Sequence, residues 1–166
     1  LPNGYHLEGR IKPVVQAIGE EYLALLELSP VRGANFTHGE RVYMGPAKRD
    51  KIYYIVGKLS KEKLTETAKI QLEKYIEKYV AERQKKFVDF FNNSHAVNMR
   101  LHQLELLPGF GSKHTGEIIK AREEKLFESF DDIKTRLPNI PNPVKAIEKR
   151  LVEEIIDKPR NTLFIF

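Results

Sequence analysis

One segment of the 166-residue chain combines residue types and spacing suited to holding a ligand: Leu107-Pro108-Gly109-Phe110-Gly111-Ser112-Lys113. An apolar pattern of Val97, Leu101 and Leu104 stops at Leu107-Pro108-Gly109, and a new helical pattern runs from Ser112 to about Arg122. Two glycines allow a tight turn and a close approach of backbone to another surface. A helix that starts there exposes unpaired N–H groups, and its macrodipole favours an anion. Phe110 is expected to pin the turn to the core, and Lys113 brings an ammonium to the same anion. The natural ligand is a backbone phosphate, held without reading bases.

A second surface is suggested by charge. Residues 41–63 carry Arg41, Lys48, Arg49, Lys51, Lys58, Lys61 and Lys63 against Asp50 and Glu62, a net +5 that equals the net charge of the whole chain. With Tyr43, Tyr53 and Tyr54 interleaved, the segment reads either as a single-strand-binding β-hairpin or as a solvated hairpin with half its aromatics in the core. Residues 100–125 are nearly neutral at +1, which a turn working through backbone amides tolerates. Arg83, Lys85 and Lys86 read as a solvated helix face.

Other chemistry is not expected. The chain has no cysteine, which excludes disulfides, thiolate zinc sites and cysteine nucleophiles. His6, His38, His95, His102 and His114 show no metal-ligand spacing. Glu20-Glu21, Glu123-Glu124, Asp131-Asp132 and Glu153-Glu154 are adjacent pairs, and adjacent helical residues do not face each other. No nucleophile elbow, phosphate-binding Walker loop or dinucleotide fingerprint occurs. Neither metal, cofactor nor catalytic residue is expected, and the chain reads as a non-enzyme. No apolar run approaches the ~20 residues of a membrane span and no signal peptide opens the chain, so the cytoplasm is the expected compartment. The first residue is Leu1 rather than Met, which leaves the natural start of the chain open.

The positioning elements follow from hydrophobic period. Leu1–Pro13 has none and reads as an irregular arm. Glu20–Val31 is apolar-rich and fits strand or helix; its β-branched and aromatic neighbours, Glu40–Gly45 and Lys51–Leu59, favour strand. Asn161–Phe166 (NTLFIF) reads as a fourth strand that returns to the same sheet. From Lys61 the period becomes helical: Leu64, Ala68, Leu72, Ile76, Tyr79, Arg83, Phe87 and Phe91 form one stripe of a long helix ended by Asn92-Asn93-Ser94. Ser129 and Asp132 have capping-box spacing, and Asn142-Pro143 is an N-cap followed by proline at the first helical position. The expected class is α+β, a small antiparallel sheet or OB-like partial barrel joined to a helical domain. Its parts are 1–60 with 160–166, a connecting helix over 61–96, and 97–159.

The segment 107–111 resembles a helix-hairpin-helix nucleic-acid-binding motif, with Ile118 and Ile119 matching apolar positions of its second helix and 127–133 similar to the short helix that often follows. The family often has Ala where Thr115 or Gly116 stands, and Gly116 weakens the second helix by about 1 kcal/mol relative to Ala. The resemblance implies that Gly109, Gly111, Ser112 and Lys113 hold phosphate. Leu137-Pro138-Asn139-Ile140-Pro141-Asn142 repeats the spacing in degenerate form. Pro141 lacks an N–H and Asn139 replaces the first glycine, so packing is its expected role.

The whole chain is similar to a small archaeal family of uncharacterised proteins read as RNA-binding. Residues 39–45, 49–52, 64–69 and 107–111 carry that similarity. The resemblance implies a barrel-like N-terminal piece, a long helix, a helix-hairpin-helix and a C-terminal strand, with RNA favoured over DNA as partner. The expected site is Gly109, Phe110, Gly111, Ser112 and Lys113, extended by Arg41, Lys48, Arg49, Lys51 and Tyr53. Alternatives are a protein-interaction module docking on the tyrosine-rich sheet and a DNA-binding protein of repair or processing.

Overall fold

The computed structural model describes residues 4–7 and 10–166, with side chains from Lys12 onward. The described residues form small antiparallel sheets and five α-helices, an α+β class, and the chain divides into two compact units. One unit comprises residues 1–72 with 155–157, and the other 73–154 with 158–166.

In the first unit, β1 (Gly4–Leu7) pairs antiparallel with β2 (Arg10–Pro13). The opening arm is therefore a hairpin where aperiodic sequence suggested an irregular segment; residues 1–3, 8 and 9 lie outside the described residues. A three-stranded sheet follows, ordered β3 (Val15–Ile18), β4 (Leu25–Pro30) and β5 (Ile52–Lys58). Val15 pairs with Leu28 and Ile18 with Leu25, which places Leu25 and Leu28 in the core. The β4–β5 register shifts twice, between Glu27 and Leu28 and between Ser29 and Pro30. The pairing is an open ladder, and the described residues form no OB-like barrel.

Two expected strands are absent. Glu40–Gly45 belongs to the long connection between β4 and β5, whose polar groups are satisfied locally. Glu40 holds Lys51, Arg49 Nε donates to the Gly45 carbonyl at 3.0 Å, and the Ala47 N–H donates to the Tyr43 hydroxyl at 3.3 Å. These contacts fold the chain on itself instead of offering it to a ladder. The Tyr43 ring lies over Gly45, where an added Cβ would displace the hydroxyl end of that exposed side chain. The basic segment 41–63 is thus a loop leading into one strand, not a β-hairpin.

The second missing strand is 161–166, which is irregular and belongs to the helical unit. Its backbone is claimed by one buried carboxylate. Glu154, 1% exposed, accepts the N–H groups of Leu163, Phe164 and Ile165 as well as Arg150 Nε at 2.9 Å. Phe164 then packs edge-on against Phe87 and Phe90, with centroids 5.4 and 5.0 Å away.

The expected single long helix is two, α1 (Glu66–Glu82) and α2 (Gln84–Asn93), broken at Arg83 with φ −120° and ψ 32°. Arg83 cannot continue a buried stripe as a free cation. At the break its guanidinium lies over the Tyr79 ring, 3.9 Å from the centroid, while Phe87, Val88 and Phe91 resume the apolar face. Residues 96–106, expected to be helical, instead form a two-stranded hairpin, β6 (Ala96–Asn98) with β7 (Leu101–His102), followed by a 3-10 turn at Gln103–Leu106. Asn98 Oδ1 accepts the Arg100 N–H at 2.8 Å and so closes the hairpin as a side-chain-stabilised turn.

The remaining helices form where the sequence signals stand. They are α3 (Ser112–Glu124), α4 (Phe130–Arg136) and α5 (Pro143–Asp157). Ser129 Oγ accepts the Asp132 N–H, Asn142 Oδ1 accepts those of Val144 and Lys145, and Pro143 opens α5. Their apolar faces meet in a core that includes Phe87, Phe91, Leu107, Ile118, Ile133 and Ile147.

Candidate nucleic-acid interface

The 3-10 turn at 103–106 sets up the segment that follows. His102 caps it: its Nδ1 accepts the Leu104 N–H at 3.1 Å, and its own N–H donates to Glu105 Oε2 at 2.8 Å. Burial first, and then the Arg122 charge, push the His102 imidazole below its ordinary value of 6.5, with Glu105 opposing them. The neutral ring is the form the cap needs, since a protonated Nδ1 cannot accept. A histidine whose folded value is depressed contributes stability that is complete above 6.5 and is lost as pH falls through the folded value. Urea melts are expected to show a midpoint that drops as pH is lowered through the histidine range. His102→Asn, which can still cap, is expected to flatten that dependence.

After Leu107 the chain reverses. The Phe110 N–H donates to the Leu107 carbonyl at 3.1 Å, and Gly109 takes φ +83°, a conformation that side chains rarely adopt. Phe110, 6% exposed, turns inward against the rings of Phe91 and His114, as expected of a residue pinning the turn. Gly109→Ala is expected to cost about 1–2 kcal/mol, the penalty for a left-handed L-residue, read as a lowered thermal midpoint.

Gly111 is a different kind of glycine. Its φ of −116° and ψ of −174° are ordinary extended backbone, and an added Cβ would meet nothing within 4 Å. Neither conformation nor packing within the chain calls for glycine there. Its N–H donates to His114 Nδ1 at 3.1 Å, and its carbonyl accepts from the Thr115 N–H and hydroxyl. The N–H groups of Ser112, Lys113 and His114 are then left at the start of α3 with no side-chain cap. In α4 and α5 the corresponding groups are capped by Ser129 and Asn142. Ser112 and Lys113 are exposed, and Lys113 makes no ion pair among the described residues. Uncapped amides, a dipole end and an exposed lysine therefore stand together at the start of α3.

The second Leu-Pro turn has the same scaffold and another use. The Ile140 N–H reaches the Leu137 carbonyl at 3.5 Å, and Ile140 is buried like Phe110. Here the helix start is filled by Asn142 and opened by Pro143. Pro141 packs against the first turn, with its Cγ 3.6 Å from where a Cβ on Gly109 would stand.

The basic segment lies in the other unit and is less free than its composition suggests. Arg41 pairs with Glu20 at 2.7 Å, Lys51 with Glu40, Lys61 with Asp157, and Lys63 with Glu27 at 3.7 Å. Arg49 is spent on the Gly45 carbonyl, and Lys51 also lies over the Phe36 ring. Lys48 and Lys58 are exposed without an ion pair among the described residues. Tyr53 is 74% exposed and Tyr54 and Tyr43 are also exposed, as are Ile55 and Val56 on β5, which pairs only with β4 among the described residues. The aromatics of this segment are therefore at the surface and not in the core.

Sequence reasoning placed Glu153-Glu154 among acidic pairs of caps and solvated faces, whereas Glu154 is buried and paired with Arg150, and it passed over the exposed Met99 of the β6–β7 turn. A charged i,i+4 pair interleaved with Ile147, Leu151 and Ile155 was a visible signal that two charges enter the core. No group of three His, Asp or Glu side chains able to hold a metal occurs among the described residues. No helix among them is long and apolar enough to cross a membrane.

Comparison with known proteins gives the lineage. The chain is 39% identical over 166 residues to the uncharacterised protein MJ0038 of Methanocaldococcus jannaschii, covering all of this chain and 75% of that one. It is also similar to Af1531 of Archaeoglobus fulgidus, whose crystal structure superposes with a TM-score of 0.82 at 39% identity, over 99% of this chain and 92% of the other. The model of DUF655, a protein family of unknown function, matches residues 1–166, and the chain belongs to that family.

Proposed function

We propose that this protein is a non-enzymatic nucleic-acid-binding protein that grips backbone phosphate at the turn Gly109–Lys113. The observation that carries the reading is the uncapped start of α3, where three N–H groups and the helix dipole stand beside the exposed Lys113 and a glycine the chain does not itself need. Such an arrangement accepts a phosphate at almost no reorganisation cost. Phe110 and Leu107 supply the rigid footing. The turn resembles a helix-hairpin-helix in which a 3-10 segment replaces the first helix. RNA is favoured over DNA on the sequence resemblance alone, the family itself being of unknown function.

A second surface is offered by the first unit, where Tyr53, Tyr54 and the free Lys48 and Lys58 can stack bases and meet phosphates. Arg41, Arg49 and Lys51 contribute less directly, since their charges are already engaged. The exposed edge of β5 also favours one other reading, a protein partner that adds a strand there.

The test is fluorescence anisotropy with matched single- and double-stranded RNA and DNA across a salt series. Phosphate binding predicts affinity that falls linearly on a log–log plot, with a slope of about −0.9 per phosphate neutralised on duplex DNA and about −0.7 on single strands. Salt-insensitive capture of a protein partner, with no oligonucleotide bound at low salt, selects the strand-addition reading instead.

A further inference from the structure

The irregular segment 161–166 is held firmly to the helical unit. Glu154 fixes three consecutive backbone N–H groups, at Leu163, Phe164 and Ile165, and Arg150 holds the Asn161 carbonyl. Arg150 and Glu154 are both buried, so the tail is fastened from beneath by an ion pair in the core. Residues 160–163 line a groove of about 370 Å³ together with His95, β6 and the 3-10 turn at 103–106.

The lining of that groove is selective. Val97, Leu106 and Leu163 supply apolar surface. Around them stand Arg160, His95 and the polar side chains of Gln103, Asn161 and Thr162, and among the described residues no carboxylate lines the groove. Gln103 is oriented: its Oε1 accepts the His95 N–H at 2.9 Å while its own N–H donates back to the His95 carbonyl at 3.0 Å. That leaves the side-chain amide nitrogen as a donor. Arg160 is exposed and makes no ion pair among the described residues.

We propose that this groove binds one unpaired nucleotide of the nucleic acid held at the Gly109–Lys113 turn. The base lies on the apolar surface with its polar edge toward Gln103 and Thr162, and its phosphate meets Arg160. The volume lies near the lower end of the range for small-ligand sites, which fits one nucleotide. A lining with donors and a cation but no carboxylate suits an anionic ligand with acceptor edges. The inference rests on the phosphate reading above, and extends it from sequence-blind grip to recognition of an extruded base.

The experiment compares three RNA duplexes by anisotropy: fully paired, with one bulged adenosine, and with the same bulge abasic. The abasic bulge keeps the flexibility and removes the base. The bulged adenosine is expected to bind on the order of tenfold more tightly than the other two, the factor given by about 1.4 kcal/mol of contact to the base itself. Gln103→Ala, checked for an unchanged thermal midpoint, is expected to abolish that preference, and Arg160→Ala to weaken both bulged duplexes alike, while each leaves the fully paired duplex bound as before. Equal affinity for all three duplexes overturns the groove assignment and leaves the phosphate turn standing. A preference shared by the abasic bulge, or one surviving Gln103→Ala, also overturns it. Failure of every duplex to bind removes the phosphate reading and this inference together.

Discussion

Gly111→Val is expected to leave the protein folded and to weaken RNA binding by tenfold or more, the loss of one or two charge-assisted hydrogen bonds of about 1.5–3 kcal/mol each. The two halves of that expectation have separate causes. Valine fits because the backbone is extended and no atom lies within 4 Å of the new Cβ. Its stability cost is limited to the poorer N-cap it makes, about 1 kcal/mol. Binding suffers because the isopropyl group stands at the start of α3, where a phosphate must approach the Ser112 and Lys113 amides. Gly111→Thr separates the causes further, since threonine has the same branched bulk yet caps about as well as glycine. A folded Gly111→Thr protein with wild-type affinity would remove this turn from the mechanism.

Glu154→Gln is expected to be the most damaging single substitution away from the turn. The carboxylate is fully buried, and Arg150 beside it keeps only 10% of its side-chain surface exposed. Breaking a buried pair by neutralising one partner strands the other charge, at a cost of about 3–5 kcal/mol. In a chain of this size that is a fall in Tm on the order of 10 °C. The amide in place of the second oxygen also points donors at backbone donors. Hydrogen exchange is expected to accelerate at Leu163, Phe164 and Ile165, whose N–H groups lose their acceptor. A midpoint within a degree or two of wild type, with those amides still protected, would show that the tail is held by Phe164 packing alone.

Local signals were the legible part of this fold. Ser129, Asn142 and Pro143 mark helix starts through their own side chains and ring, so their meaning needs no tertiary context. Leu107 to Lys113 was legible for the same reason, since a left-handed glycine and an inward phenylalanine are written into five residues. What failed depended on distant partners. The tail NTLFIF has the composition of a strand, but its donors go to Glu154, which no periodicity in 161–166 can reveal. Glu40–Gly45 looks equally strand-like, and is folded instead by contacts from Lys51, Arg49 and Tyr43. The stripe through Arg83 kept helical spacing across a break because Arg83 packs its guanidinium on Tyr79. Charge counting along 41–63 overstated the basic surface for a related reason, since Glu20, Glu40, Glu27 and Asp157 answer four of its seven cations.

The central claim concerns particular backbone amides, so it is tested most directly by following them. In ¹H–¹⁵N NMR spectra of the whole chain titrated with a short RNA, the amides of Ser112, Lys113 and His114 are predicted to shift most. Those shifts are predicted to weaken as salt is raised, because the contact is to phosphate. Shifts confined to β5 and the loop before it, with the start of α3 unmoved at saturating RNA, would contradict the account.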